Sequence, residues 1–167
     1  MNLDGGRAAT IIADHSAQGA PGACLRDLTL ALKGFRGAAG VDPRFAATIQ
    51  RLQEGALALP PDAVDAVIDL VTAVCEECPI ALLLDDADRY DATSLGRLLR
   101  RLGGRRRKGL LVVASVRSGV HPVPDGVVRL ALPPVDETGI RALVGGMARL
   151  PQAAWVGPLI QALQDRK

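Results

Sequence analysis

Aromatic side chains are nearly absent from this chain of 167 residues: Phe, Tyr and Trp together make up 2% of it. Its core must therefore come from Ala, Val, Leu and Ile, within a hydrophobic content of 49%, as in parallel sheets covered by helices. No aromatic residue accompanies the basic run at 100–109, so stacking on nucleobases is not available there. Cysteine is scarce too, and Cys24, Cys75 and Cys78 make an odd count, so reduced thiols are expected rather than a disulfide framework. No stretch reaches eighteen apolar residues, and "MNLDGGRAATIIADHS" carries no basic segment ahead of a long apolar run. Neither a membrane-spanning helix nor a secretory leader is expected, and a cytoplasmic location is. Neither sign of charge dominates: 20 basic residues against 18 acidic ones leave +2, so bulk charge points to neither nucleic acid nor membrane.

What is present suits one α/β domain, residues 1–167, long enough to bury most of its apolar surface. "AATIIA" (8–13) reads as a buried strand followed by a loop, "DHSAQGAPG". Leu25, Leu28 and Leu32 follow helical spacing over 21–33, and further helices are expected at 43–56 and 61–77. The second of these opens at Asp62 and lines Val64, Val67, Ile68, Val71 and Val74 along one face. "PIALLL" (79–84) is a continuous apolar run, the pattern of a strand covered on both faces. Asp91 can cap a helix whose Leu95, Leu98, Leu99 and Leu102 form one stripe. "GLLVVASV" (109–116) and "GVVRLAL" (126–132) read as strands, and helices are expected from Asp136 to about Ala148 and from Pro151 to near Gln164.

Chemistry concentrates where "PIALLL" ends in Asp85 and Asp86. A strand ending in two aspartates sets both carboxylates at the carboxyl edge of the sheet, where open α/β folds bind ligands. In nucleotide hydrolysis the first carboxylate of such a pair helps to hold Mg²⁺, usually through water, and the second can orient the attacking water. An isolated pair of this kind reads equally well as the cap of a turn.

The surroundings of the pair add to that reading. "LLLDDADRYDATSLGRLLRRL", then "GLLVVASVR", then "VVRLALPPVDETGIRALV" resembles the STAND class of P-loop ATPases, signal-transduction relatives of AAA+ proteins found in large bacterial regulators. The resemblance implies an incomplete P-loop NTPase-like parallel sheet flanked by helices. It implies Mg²⁺ at Asp85 and Asp86, with Asp86 also catalytic. It implies that Ser115 and Arg117 contact ATP, the arginine as a sensor of its terminal phosphate and as a second catalytic residue. Asp91 and "LPPVDE" (132–137) match further positions of the family's pattern, whereas Asp88 and Arg89 depart from it, standing where many relatives have His or Gln followed by Trp.

A phosphate-cradling loop needs glycines and then a lysine and a hydroxyl, G-x-x-x-x-G-K-[ST]. The three lysines, Lys33, Lys108 and Lys167, are each preceded by a residue other than glycine, so this Walker A loop is absent. "GFRGAAG" (34–40) has the glycines without the lysine and reads as a turn. The chain therefore resembles an ATPase module clipped at both ends, lacking the phosphate-loop strand, with weak or absent ATP binding. Its expected partners are the flanking segments of a parent protein or further copies of itself. In the resembled family the strand order is 2-3-4-1-5, so 8–13, 79–84 and 109–116 would be neighbours. The run at 126–132 would either pair directly with 109–116 or lack order.

Other signals carry less. "CEEC" (75–78) closes a helix and precedes a strand, the reverse of a thioredoxin-type pair, and the remaining zinc candidates Cys24, His15 and His121 are scattered. "RRLGGRRRKG" (100–109) reads as a solvated helix end rather than a nucleic-acid contact. Two other functions stay open: a non-catalytic interaction module on a degenerate ATPase fold, and a phosphohydrolase using Asp86 as nucleophile and Asp88 as acid.

Overall fold

The computed structural model describes residues 7–13, 18–55, 58–104, 107–117, 127–136, 138–140, 142 and 161–162. Two compact units divide the chain, Met1–Val127 and Val128–Lys167.

The first unit holds a three-stranded parallel sheet in the order β1 (Arg7–Ile12), β2 (Ile80–Asp85), β3 (Leu110–Ala114). Between β1 and β2 run α1 (Ala23–Leu32), α2 (Pro43–Gln53) and α3 (Ala63–Glu77), and between β2 and β3 runs α4 (Ala92–Gly103). Each strand pairs with the next in sequence, so both crossovers step in the same direction. Right-handed connections then place every helix on one face of the sheet. The packing agrees: α1 touches α2, α3 and α4, and α3 touches α2 and α4.

Side-chain alternation follows from that one-sided cover. Ala9 and Ile11 of β1, with Ile80, Leu82 and Leu84 of β2, are buried in one core with Leu25, Leu28 and Leu32 of α1, Val67, Val71 and Val74 of α3, and Leu95, Leu98 and Leu102 of α4. On the opposite face Ile12, Leu111 and Val113 are exposed. Burying one Leu or Val fully is worth about 1.5–3 kcal/mol, so the aliphatic stripes of α1, α3 and α4 supply most of what holds the layer together, with Tyr90 buried among them.

The helix starts use acidic residues in different ways. Asp42 caps α2 by accepting from the Arg44 N–H, ahead of Pro43 in the first turn. Asp91 caps α4 by accepting from the Ser94 N–H at 2.8 Å, and its other oxygen accepts from the Gly22 N–H at 2.9 Å, tying the entry of α1 to the start of α4. Asp62 stands at the N-cap of α3 but accepts from the Thr48 hydroxyl instead, linking α3 to α2. Within 34–40 the expected turn is a short 3₁₀ segment (Ala38–Gly40). Gly37 before it has φ 89°, and a Cβ there would overlap the Ala73 carbonyl oxygen of α3.

One expected strand is absent from the sheet. Residues 127–132 lie in neither helix nor strand, and Val128, Leu130 and Leu132 are exposed, Leu132 at 90%. β-Branched and apolar residues favour a strand only when a ladder partner and a covering layer receive them. In the second unit 138–140, 142 and 161–162 are helical, with the Gly139 N–H donating to the Asp136 carboxylate at 2.7 Å. The rest of the two expected C-terminal helices lies outside the described residues, as do Arg105, Arg106, His15 and His121. No helix among the described residues is long and apolar enough to cross a membrane.

Candidate functional site

Because β1, β2 and β3 are parallel, their carboxyl ends share one edge, and the chain leaves that edge carrying Asp85, Asp86, Ser115 and Arg117. Asp85 is the last residue of β2, Ser115 follows β3 directly, and Arg117 comes two residues later. Two backbone bonds lock the two strand ends together. The Ser115 N–H donates to the Leu84 carbonyl and the Ala87 N–H to the Ser115 carbonyl, each at 2.9 Å.

Side chains reinforce the junction. The Ser115 hydroxyl donates to Asp85 Oδ1 at 2.6 Å, and the Asp86 N–H points at both, 2.9 Å from Ser115 Oγ and 3.1 Å from Asp85 Oδ1. That amide direction requires an unusual backbone: Asp86 has φ 49° and ψ 38°, the one positive φ outside glycine among the described residues. Aspartate tolerates this left-handed region better than most residues, at a cost of roughly 1 kcal/mol. A 3₁₀ turn (Ala87–Arg89) follows, and across it the Arg89 guanidinium pairs with the Asp86 carboxylate at 3.2 Å.

Asp88, in the middle of that turn, is buried and reaches across to the end of β3. Its Oδ2 accepts from Arg117 Nε at 2.6 Å and its Oδ1 from the Arg117 backbone N–H at 3.3 Å. Burial pushes the Asp88 carboxyl up, but the hydrogen bonds from the Arg117 side chain and backbone and the guanidinium charge outweigh it, holding the group below its ordinary range. A carboxylate kept ionised is poorly suited to the acid role that the phosphohydrolase reading gives it. The turn is buttressed from the β1 side, where the Gly19 N–H donates to the Arg89 carbonyl and the Tyr90 hydroxyl to Asp27 Oδ2.

All four residues expected at the site meet at this edge: Asp85 and Ser115 in direct contact, Asp86 bonded to Ser115 through its backbone, and Arg117 anchored one turn beyond. The Asp88–Arg117 pair was not foreseen, although an acid standing where the family's pattern has a different residue was its signal. The left-handed Asp86 had no signal in the sequence. Asp85 and Ser115 present hard oxygen atoms of the kind Mg²⁺ takes, and so small a number of donors matches an ion that keeps most of its water, while the Asp86 carboxylate is engaged by Arg89. No group of three or more His, Cys, Asp or Glu able to hold a metal occurs among the described residues. A groove of about 310 Å³, lined by Thr10, Ile12, Arg26, Asp27 and Leu30, runs between β1 and α1.

Cys75 and Cys78 are half-buried free thiols at the end of α3, and Cys24 is a buried one in α1. The arginine-rich end of α4 is solvated, with Arg101 paired to Asp65, and Arg107 Nη1 donating to the Arg101 and Leu102 carbonyls as a C-terminal cap. No protein-family model, curated protein or solved structure matches the chain.

Proposed function

We propose that this chain is a piece of an ATP-binding signal-transduction ATPase domain of the STAND/AAA+ type, carrying the magnesium-side and sensor-side residues without the lysine-bearing loop. The observation that carries the reading is the direct Ser115–Asp85 hydrogen bond at 2.6 Å, which joins the ends of two adjacent parallel strands at the edge where Arg117 also emerges. The strand order β1-β2-β3 agrees with the neighbours 2-3-4 of that family's sheet.

In this reading Asp85 and Asp86 face the ion, and Ser115 holds Asp85 in place while its oxygen points toward the phosphates. Mg²⁺, when bound, would neutralise the charge of the phosphate oxygens. Asp86 would accept a proton or a hydrogen bond from water at its carboxylate, and Arg117 would meet the terminal phosphate. Without the Gly-Lys loop several charge-assisted hydrogen bonds of about 1.5–3 kcal/mol each are missing, so ATP affinity is millimolar or weaker and efficient hydrolysis by this chain alone is not expected.

The test is Mn²⁺ as a paramagnetic substitute. Low-affinity binding should broaden the amide resonances of residues 85–86 and 115, and Asp85→Ala should abolish that broadening. The same broadening in the variant refutes the assignment. A second reading, a non-catalytic interaction module, is favoured by Ile12, Leu111 and Val113 exposed on one face of the sheet. Absence of Mn²⁺ and nucleotide binding would leave that reading in place.

A further inference from the structure

Arg117 is an exposed guanidinium on a buried anchor. Its side chain is 70% exposed, whereas that of its partner Asp88 is 1% exposed. One carboxylate grips both the Nε and the backbone N–H of the arginine, at 2.6 and 3.3 Å, and so fixes the direction in which the side chain leaves the end of β3. Asp88 is itself held in a 3₁₀ turn whose Ala87 N–H is bonded to the Ser115 carbonyl. A guanidinium bonded through Nε retains the edge formed by its two Nη groups, which can take two oxygens of a phosphoryl group. Among the described residues, Asp88 is the one carboxylate paired with Arg117.

We propose that Asp88 is a positioning residue that presets Arg117, so that its Nη edge receives a phosphoryl oxyanion beside Asp85 and Ser115. The identity of that anion as part of a nucleotide rests on the function proposed above; the positioning does not. Long side chains lose rotamer freedom when they clamp a ligand, and an arginine already ordered by a buried partner loses less of it on binding. Simple charge neutralisation would act with the opposite sign. If Asp88 merely cancelled the arginine's charge, removing it would strengthen anion binding, whereas loss of positioning weakens it.

The experiment titrates the full chain with tripolyphosphate and follows the Arg117 Nε–H and backbone amide signals by NMR. Wild type should show fast-exchange shifts of both signals at millimolar anion. Asp88→Ala should weaken binding roughly two- to tenfold, the cost of immobilising one long side chain at the moment of binding. Asp88→Asn, which keeps one acceptor oxygen, should fall between. In an Arg117→Lys background, Asp88→Ala should cause no further loss, a result that a purely structural role would not give. Equal or tighter binding by Asp88→Ala, the same loss in the Arg117→Lys background, or wild-type Arg117 signals unmoved by tripolyphosphate would each overturn the proposal. Should Asp88→Ala not melt cooperatively, Asp88→Asn decides by the same sign. If Mn²⁺ fails to bind at Asp85 while the Asp88–Arg117 coupling holds, the magnesium-side reading falls and the positioning stands. If Mn²⁺ binds and Asp88→Ala has no effect, the reverse holds.

Discussion

Cys24 shows what burial without a partner does to a single group. Fully enclosed in α1, its thiol is pushed up from 9.0 to about 12, first by burial and then by the negative charges of Asp91 and Asp27. In the unfolded chain the thiol ionises near its ordinary value, so between 9.0 and about 12 the unfolded state binds fewer protons than the folded one. Stability must fall as pH rises through that window, by up to about 1.4 kcal/mol per pH unit from this one group. Urea melts across the window should show a smaller decline for Cys24→Ala than for wild type. Parallel declines would mean that the thiol is not buried as described. At Asp86 the cost is conformational instead: a left-handed aspartate is kept because its N–H must reach Asp85 and Ser115 together.

Among the elements, α4 depends on a residue outside its core stripe. Asp91 satisfies the Ser94 N–H of its own helix and the Gly22 N–H ahead of α1, so its loss removes a cap and strands a part-buried donor. Asp91→Ala should cost about 1–3 kcal/mol, whereas Asp91→Asn, an equally good cap, should cost well under half of that. Denaturant unfolding of the two variants measures this, and equal losses would contradict it. Asp91 also shows how much of the fold was legible in the residues. A capping aspartate followed by leucines at helical spacing is a local signal, as are the apolar runs of β1, β2 and β3, and local signals placed α1–α4 and the three strands within a few residues. The run at 127–132 left two outcomes open because its apolar residues look the same whether or not a neighbouring strand receives them. The contact of Asp85 with Ser115 was implied by two strands ending at one edge. The grip of Asp88 on Arg117 spans 29 residues and depends on a turn geometry that no local pattern encodes.

At the scale of the molecule, the one-sided layer has a consequence. Helices cover one face of the sheet, while the other presents Ile12, Leu111 and Val113, and β3 pairs with β2 along one side only among the described residues. An exposed apolar face beside an unpaired strand edge templates association. Sedimentation velocity should show self-association that rises with concentration and recedes in a Leu111→Lys, Val113→Lys double variant; a monomer at all concentrations would contradict this.

The central claim is that the carboxyl edge carrying Asp85, Asp86, Ser115 and Arg117 is the phosphate side of a nucleotide site that lacks its lysine loop. A Mg·ATP titration followed residue by residue tests it most directly. The account predicts fast-exchange shifts centred on residues 85–86 and 115–117, half-saturating at millimolar nucleotide or above and lost in Arg117→Ala. Low-micromolar affinity, or shifts that centre elsewhere and persist in that variant, would contradict it.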